Sequence, residues 1–85
     1  MEHVHYEVDV PNGGSIEVTL DQQANVLVMD SMNYQQYCRG ASATYYGGRM
    51  VRSPAVITPP HGGWWHVAID LGRGSGTIRS SVRVL

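Results

Sequence analysis

His3, His5 and Glu7 recur at every second position near the start of the chain. In an extended strand, residues two apart project from the same face, so two imidazoles and a carboxylate would stand side by side. This donor set suits zinc once a further ligand arrives from elsewhere, and His61 and His66 are the histidines available to supply it. The chain has a single cysteine, Cys38, so no Cys-pair site can form. A solvated polar strand face accounts for the same residues. Spacing alone therefore assigns no metal; His3 and His5 stand as candidates, and a metal-dependent enzyme built on them is one alternative function.

Other constellations carry less. Serines, His66 and Asp70 allow a Ser–His–Asp set on paper, but no nucleophile elbow marks the serine. His66 and Asp70 share a strand face yet sit about 13 Å apart along an extended chain, too far for a direct hydrogen bond. Cys38, beside Arg39, carries no catalytic signature. Gly72-Arg73-Gly74-Ser75-Gly76 looks like a phosphate loop, but such a cradle leads into a helix N-terminus. Here a strand pattern follows, which predicts a hairpin turn with Arg73 at its tip, free to meet a carboxylate or phosphate of a partner. No enzymatic activity and no cofactor are expected.

The most suggestive set is aromatic. Tyr34, Tyr37, Tyr45, Tyr46, Trp64 and Trp65 accompany Arg39, Arg49 and Arg52 in a chain without phenylalanine. Tyr, Trp and Arg dominate interface hot spots because they combine stiff contact area with hydrogen-bonding ends. Adjacent strand residues face opposite ways. One of Trp64 and Trp65 is therefore expected in the core and the other outside, and likewise one of Tyr45 and Tyr46. The expected binding surface comprises Tyr34, Tyr37, Arg39, Tyr45, Tyr46, Arg49, Trp64, Trp65 and Arg73.

Charge separates along the chain. Of the seven acids, all but Asp70 fall within residues 1–30, while all six bases lie beyond residue 30 and every one is arginine. Acidic and basic strands paired across one sheet would neutralise each other; a polar interaction surface is the other reading. A net charge of −1 without lysine argues against nucleic acid, which needs several basic contacts on one face. The N-terminus lacks the basic and apolar regions of a signal peptide, and no apolar run is long enough for a membrane helix. The expected location is cytoplasmic, with no membrane association.

Eighty-five residues make one small domain. A core of that size is marginal, and open sheet edges need protection, so a homodimer or a protein partner is expected. Residues 3–10 and 15–20 alternate apolar and polar, with Pro11-Asn12-Gly13-Gly14 between them; the pattern predicts a hairpin. Val26-Leu27-Val28-Met29 is continuously apolar, as in a strand covered on both faces. Asp30 or Ser31 can cap a short helix over residues 32–38, ended by Gly40. Thr44-Tyr45-Tyr46 is strand-like, Gly47-Gly48 is expected to break it, and Arg49 to Arg52 can resume it. Ala55–Thr58, Trp64–Leu71 and 77–84 complete the strands. The fold class is all-β: a small antiparallel sandwich or partly open barrel of about seven or eight short strands.

From residue 24 onward the chain resembles the DUF1883 family of small bacterial proteins. The resemblance is carried in order by Asn25-Val26-Leu27-Val28-Met29-Asp30, Asn33-Tyr34, Tyr37-Cys38-Arg39-Gly40, Tyr45-Tyr46-Gly47-Gly48 and Pro54-Ala55-Val56-Ile57. The most specific stretch is Gly63-Trp64-Trp65-His66-Val67-Ala68-Ile69-Asp70-Leu71-Gly72, followed by Ile78-Arg79-Ser80-Ser81-Val82-Arg83-Val84. The first 23 residues carry little of it. The resemblance implies an all-β fold and no assigned activity. Members of the family also occur joined to TIR domains, which implies a partner- or ligand-sensing module in phage–bacterium conflict, as a regulator or inhibitor of a defence system. A non-enzymatic protein-interaction module is thus the expected function. The alternatives are a sensor for a small nucleotide-like ligand held by Arg and aromatics, and the metal-dependent enzyme already described.

Overall fold

The computed structural model describes residues 3–72 and 76–85. Seven strands and one helix follow in the order β1 (Val4–Val10), β2 (Ile16–Leu20), β3 (Ala24–Met29), α1 (Ser31–Cys38), β4 (Tyr46–Met50), β5 (Ala55–Ile57), β6 (Gly63–Asp70) and β7 (Ser80–Val84). They form two antiparallel sheets, one of order β1-β6-β3-β4 and one of order β5-β2-β7. The sheets face each other and come together at two seams, β1 against β7 and β4 against β5, without closing into a barrel. Tyr6 stitches the first seam, its hydroxyl donating to the Ser80 carbonyl at 3.0 Å.

Alternation decides which side chains enter the core. Val10, Ile16, Val18, Val26, Val28, Trp65, Val67 and Ile69 meet between the sheets. Trp65 is 3% exposed whereas Trp64 is 65% exposed, the split that adjacent strand positions require. The Trp65 ring nitrogen donates to the His61 carbonyl at 3.1 Å, so burial leaves no polar atom orphaned. Apart from Asn25, β3 is apolar because both of its faces are covered. Val26 and Val28 point into the core, while Leu27 and Met29 lie under α1 with Tyr34 and Tyr37.

The helix begins and ends by side-chain and glycine chemistry. The Asp30 carboxylate accepts from the Asn33 amide at 2.8 Å, satisfying a donor that the first turn leaves free. At the other end Gly40 adopts φ 76°, Gly40 N–H donates to the Tyr37 carbonyl and Ala41 N–H to the Gln36 carbonyl. This is the Schellman arrangement, which favours glycine because the position is left-handed.

Three local expectations are corrected. β1 and β2 do not form a hairpin: β1 pairs with β6, and β2 pairs with β5 and β7. Pro11–Gly14 does turn, with Gly14 N–H donating to the Pro11 carbonyl at 2.8 Å. The turn carries the chain from one sheet to the other, because alternation states which face is apolar and not which strand lies alongside. For the same reason β6 and β7, in different sheets, are not the hairpin expected around Gly72–Gly76. Gly47-Gly48 does not break its strand either; β4 runs through both residues. Gly47 has φ 104°, and a Cβ there would run into the Val26 carbonyl, so the close pairing of β4 with β3 requires glycine.

The charge pattern resolves partly within the smaller sheet. Glu17 on β2 lies opposite Arg83 on β7 and pairs with it at 2.8 Å, whereas the Asp21 carboxylate accepts from the main-chain N–H of Arg79 at 3.0 Å, a backbone bond rather than an ion pair. Among the described residues no helix is long and apolar enough to cross a membrane.

Gly47→Ala is expected to destabilise the fold by about 2–4 kcal/mol, since backbone strain and a collision with β3 add. Gly48→Ala, also at positive φ but facing open space, is expected to cost clearly less. Urea unfolding followed by tryptophan fluorescence compares the two; equal midpoints would contradict the close approach.

Candidate functional site

The outer face of the larger sheet, under and beside α1, gathers most of the chemistry. β1 presents His5 and Glu7, with His3 just before it. β6 presents Trp64, His66, Ala68 and Asp70. Register aligns them: Glu7 is opposite His66, His5 opposite Ala68, Asp9 opposite Trp64, and Asn25 of β3 opposite Asp70.

Asp70 is 4% exposed. Its carboxylate accepts from the Tyr37 hydroxyl at 2.6 Å, from the Asn25 amide at 2.9 Å and from the Gly72 N–H at 2.8 Å. Burial pushes this carboxyl upward, but the hydrogen bonds from Tyr37, Asn25 and Gly72 outweigh it and hold Asp70 below its ordinary value. The partner is affected in the opposite sense: burial and the adjacent Asp70 raise the Tyr37 phenol. Among the described residues no buried side-chain polar atom lacks a partner.

Beside this anchor stands a second group. His5 Nε2 and His66 Nδ1 are 2.9 Å apart, with ring planes 7° apart and centroids separated by 5.1 Å. The imidazoles therefore meet edge to edge, nearly coplanar. Tyr34 stacks over both, 4.1 Å from the His5 centroid and 4.7 Å from that of His66. The Tyr34 hydroxyl is hydrogen-bonded to His3 Nε2 at 2.9 Å, and burial, the Cys38 hydrogen bond and the nearby Cys38 and Glu7 charges push it up to about 12. The other nitrogen of His66 is hydrogen-bonded to Ser31 Oγ at 2.9 Å, and Glu7 Oε1 lies 3.9 Å from Nδ1. Burial, then the neighbouring His66, lowers the His5 imidazole.

The sequence-based candidates are distributed unevenly over this arrangement. Tyr34 and Tyr37 join the histidines and Asp70. His5 and His66 meet as ligand-type neighbours, but His3 is engaged by Tyr34, and His61 sits at the turn before β6 against Trp65. Arg39 caps the exposed C-terminus of α1. Arg49 donates to Gln23 at 2.8 Å. Trp64 is exposed and Trp65 buried, but the same split fails for Tyr45 and Tyr46: both are exposed, because Tyr45 precedes β4 and strand alternation does not govern it, while the Tyr46 ring stands edge-on to Trp65 at 5.9 Å. Arg52 lines an open depression with Leu20, Asp21 and Val51, with no aromatic in its wall. Arg73 lies outside the described residues. The paper Ser–His–Asp set is not assembled: Asp70 is occupied by three donors, and the serine at His66 is Ser31. Asn25 and the role of Asp70 escaped sequence reasoning because they depend on register between strands distant in the chain, and Ser31 because its bond to His66 depends on where α1 docks.

The family model of a domain of unknown function, DUF1883, matches residues 1–85. It takes in the first 23 residues, which carry little of the sequence resemblance noted above, and so includes β1 and its histidines. No curated protein and no solved structure matches the chain.

Tyr37→Phe leaves the Asp70 carboxylate with two donors, and is expected to cost about 1.5–3 kcal/mol, the range for hydrogen bonds to charged groups. The lowered Asp70 carboxyl also sets a pH dependence. Its contribution is full above the unfolded value of about 4 and is lost as pH falls through the lower folded value. Acid unfolding of the parent and of Asp70→Asn, followed by circular dichroism, is expected to show a steeper acid loss in the parent; parallel curves would contradict this.

Proposed function

We propose, for a chain that belongs to the DUF1883 family over its whole length, a non-enzymatic role as a protein-binding module that takes a basic segment of its partner. The carrying observation is Trp64, 65% exposed on the outer face with Asp9 directly opposite it across the β1–β6 pair. A large exposed indole with a polar end is the usual centre of a binding hot spot.

Charge around it supports one class of partner. Glu7 lies opposite His66 on the same face, and Asp30 follows Met29, which pairs with His66 on the other side. Three carboxylates thus attend the Trp64 end, whereas Arg39 at the helix terminus and Arg49 opposite Asn25 lie toward the Asp70 end. A second apolar group, Met32, 73% exposed, stands one residue beyond Ser31, which bonds to His66. An apolar anchor with Asp9 opposite it and Glu7 two residues away on the same strand face complements arginine- and lysine-rich sequence, and such complementarity governs specificity and association rate. A setting in phage–bacterium conflict, as regulator or inhibitor of a defence system, is supported by the family resemblance alone.

Binding to immobilised peptides of basic, neutral and acidic composition tests this reading. The parent is expected to select the basic set and to weaken as salt rises. Trp64→Ala is expected to weaken that binding at least about tenfold with an unchanged melting temperature, since the indole is outside the core, and Asp9→Asn to reduce it less. Selection of neutral or acidic peptides, or undiminished binding by Trp64→Ala, would overturn the proposal.

A further inference from the structure

We propose that His5, His66 and Glu7 bind one divalent transition-metal ion, with zinc the best match to the donor set, and leave a coordination position open. The candidate ligand atoms all lie within 4.8 Å of one another. His5 Nε2 and His66 Nδ1 are 2.9 Å apart, and Glu7 Oε1 is 3.9 Å from His66 Nδ1. Ligands at ordinary zinc bond lengths in a tetrahedron stand about 3.3 Å from each other. One separation falls below that figure and one above, with all three atoms inside 4.8 Å, so binding requires the imidazoles to part slightly and the Glu7 carboxylate to swing toward them.

The chemistry of the pair points the same way. Two neutral imidazole nitrogens facing each other share one proton; a metal ion accepts both lone pairs at once. Imidazole with carboxylate suits zinc and its neighbours in the first transition row, rather than magnesium or calcium, which prefer all-oxygen sites. Three protein ligands leave a fourth position for water or an incoming group.

The surroundings resemble the support that metal-binding histidines receive. When His66 donates Nε2–H to Ser31 Oγ, its Nδ1 lone pair is left facing His5, which fixes the tautomer. Tyr34 lies flat over both rings and is itself held by His3. His5 and His66 stand on paired strands rather than loops, so their spacing is set by the β1–β6 ladder. This inference shares Glu7 with the Trp64 surface but uses neither Trp64 nor Asp9, so the two can fail separately.

Isothermal titration of zinc into protein carrying no histidine tag tests the site. The parent is expected to bind one ion per chain. His5→Ala and His66→Ala are each expected to weaken binding at least about tenfold, Glu7→Gln by less, and His61→Ala not at all. Imidazole NMR of the parent supplies a readout free of substitutions: added zinc is expected to shift the ring signals of His5 and His66 while those of His61 stay in place. Absence of saturable binding at millimolar zinc, binding indifferent to both His5→Ala and His66→Ala, or equal loss in His61→Ala would overturn the assignment.

Discussion

A carboxylate removed from water must be given back the hydrogen bonds it loses, and Asp70 makes that demand of three parts of the chain at once. Asn25 answers from β3, Gly72 from the backbone just beyond β6, and Tyr37 from α1. The helix needs this mooring. Eight residues are too few to be stable alone, and no side chain of α1 is fully buried. Tyr37 on Asp70, together with the contacts of Tyr34 and Tyr37 on Leu27, Met29 and Ala68, holds the helix on the sheet. From that placement follow the bond from Ser31 to His66 and the position of Tyr34 over both imidazoles.

β6 joins this site to the core. It is flanked by β1 and β3, and its two faces have separate tasks. Trp65, Val67 and Ile69 fill the space between the sheets, while His66 and Asp70 stand on the opposite face. The outer side chains inherit the rigidity of a strand hydrogen-bonded on both edges. Groups that must meet within a few tenths of an ångström are better placed on such a strand than on a loop.

The two sheets also treat charge differently. In the smaller one, acid meets arginine across a strand pair, Glu17 with Arg83, and the surface is locally balanced. On the larger sheet Glu7, Asp9 and Asp30 gather toward the Trp64 end, away from Arg39 and Arg49. The segregation of acids and bases along the chain thus becomes neutralisation in one sheet and a polarised face in the other.

Alternation of apolar residues determined the strand class, the buried face of β1, β2, β6 and β7, and the division between Trp64 and Trp65, because a strand's period of two is local. Capping chemistry likewise made α1 legible, from Asp30 to Gly40. Pairing is not local. Whether β1 lies beside β2 or β6 depends on which apolar faces close most completely against each other, and the same alternation satisfies either. Hence the two expected hairpins were absent, and Gly47-Gly48, which reads as a breaker, proved to be the glycine pair that lets β4 approach β3. The His-x-His-x-Glu spacing announced a donor strip, but only register chose His66 over His61 as its neighbour and turned His3 toward Tyr34. Asp70 reads as one acid on a strand; its burial, and the three donors that make burial tolerable, come from segments brought together only by the tertiary fold.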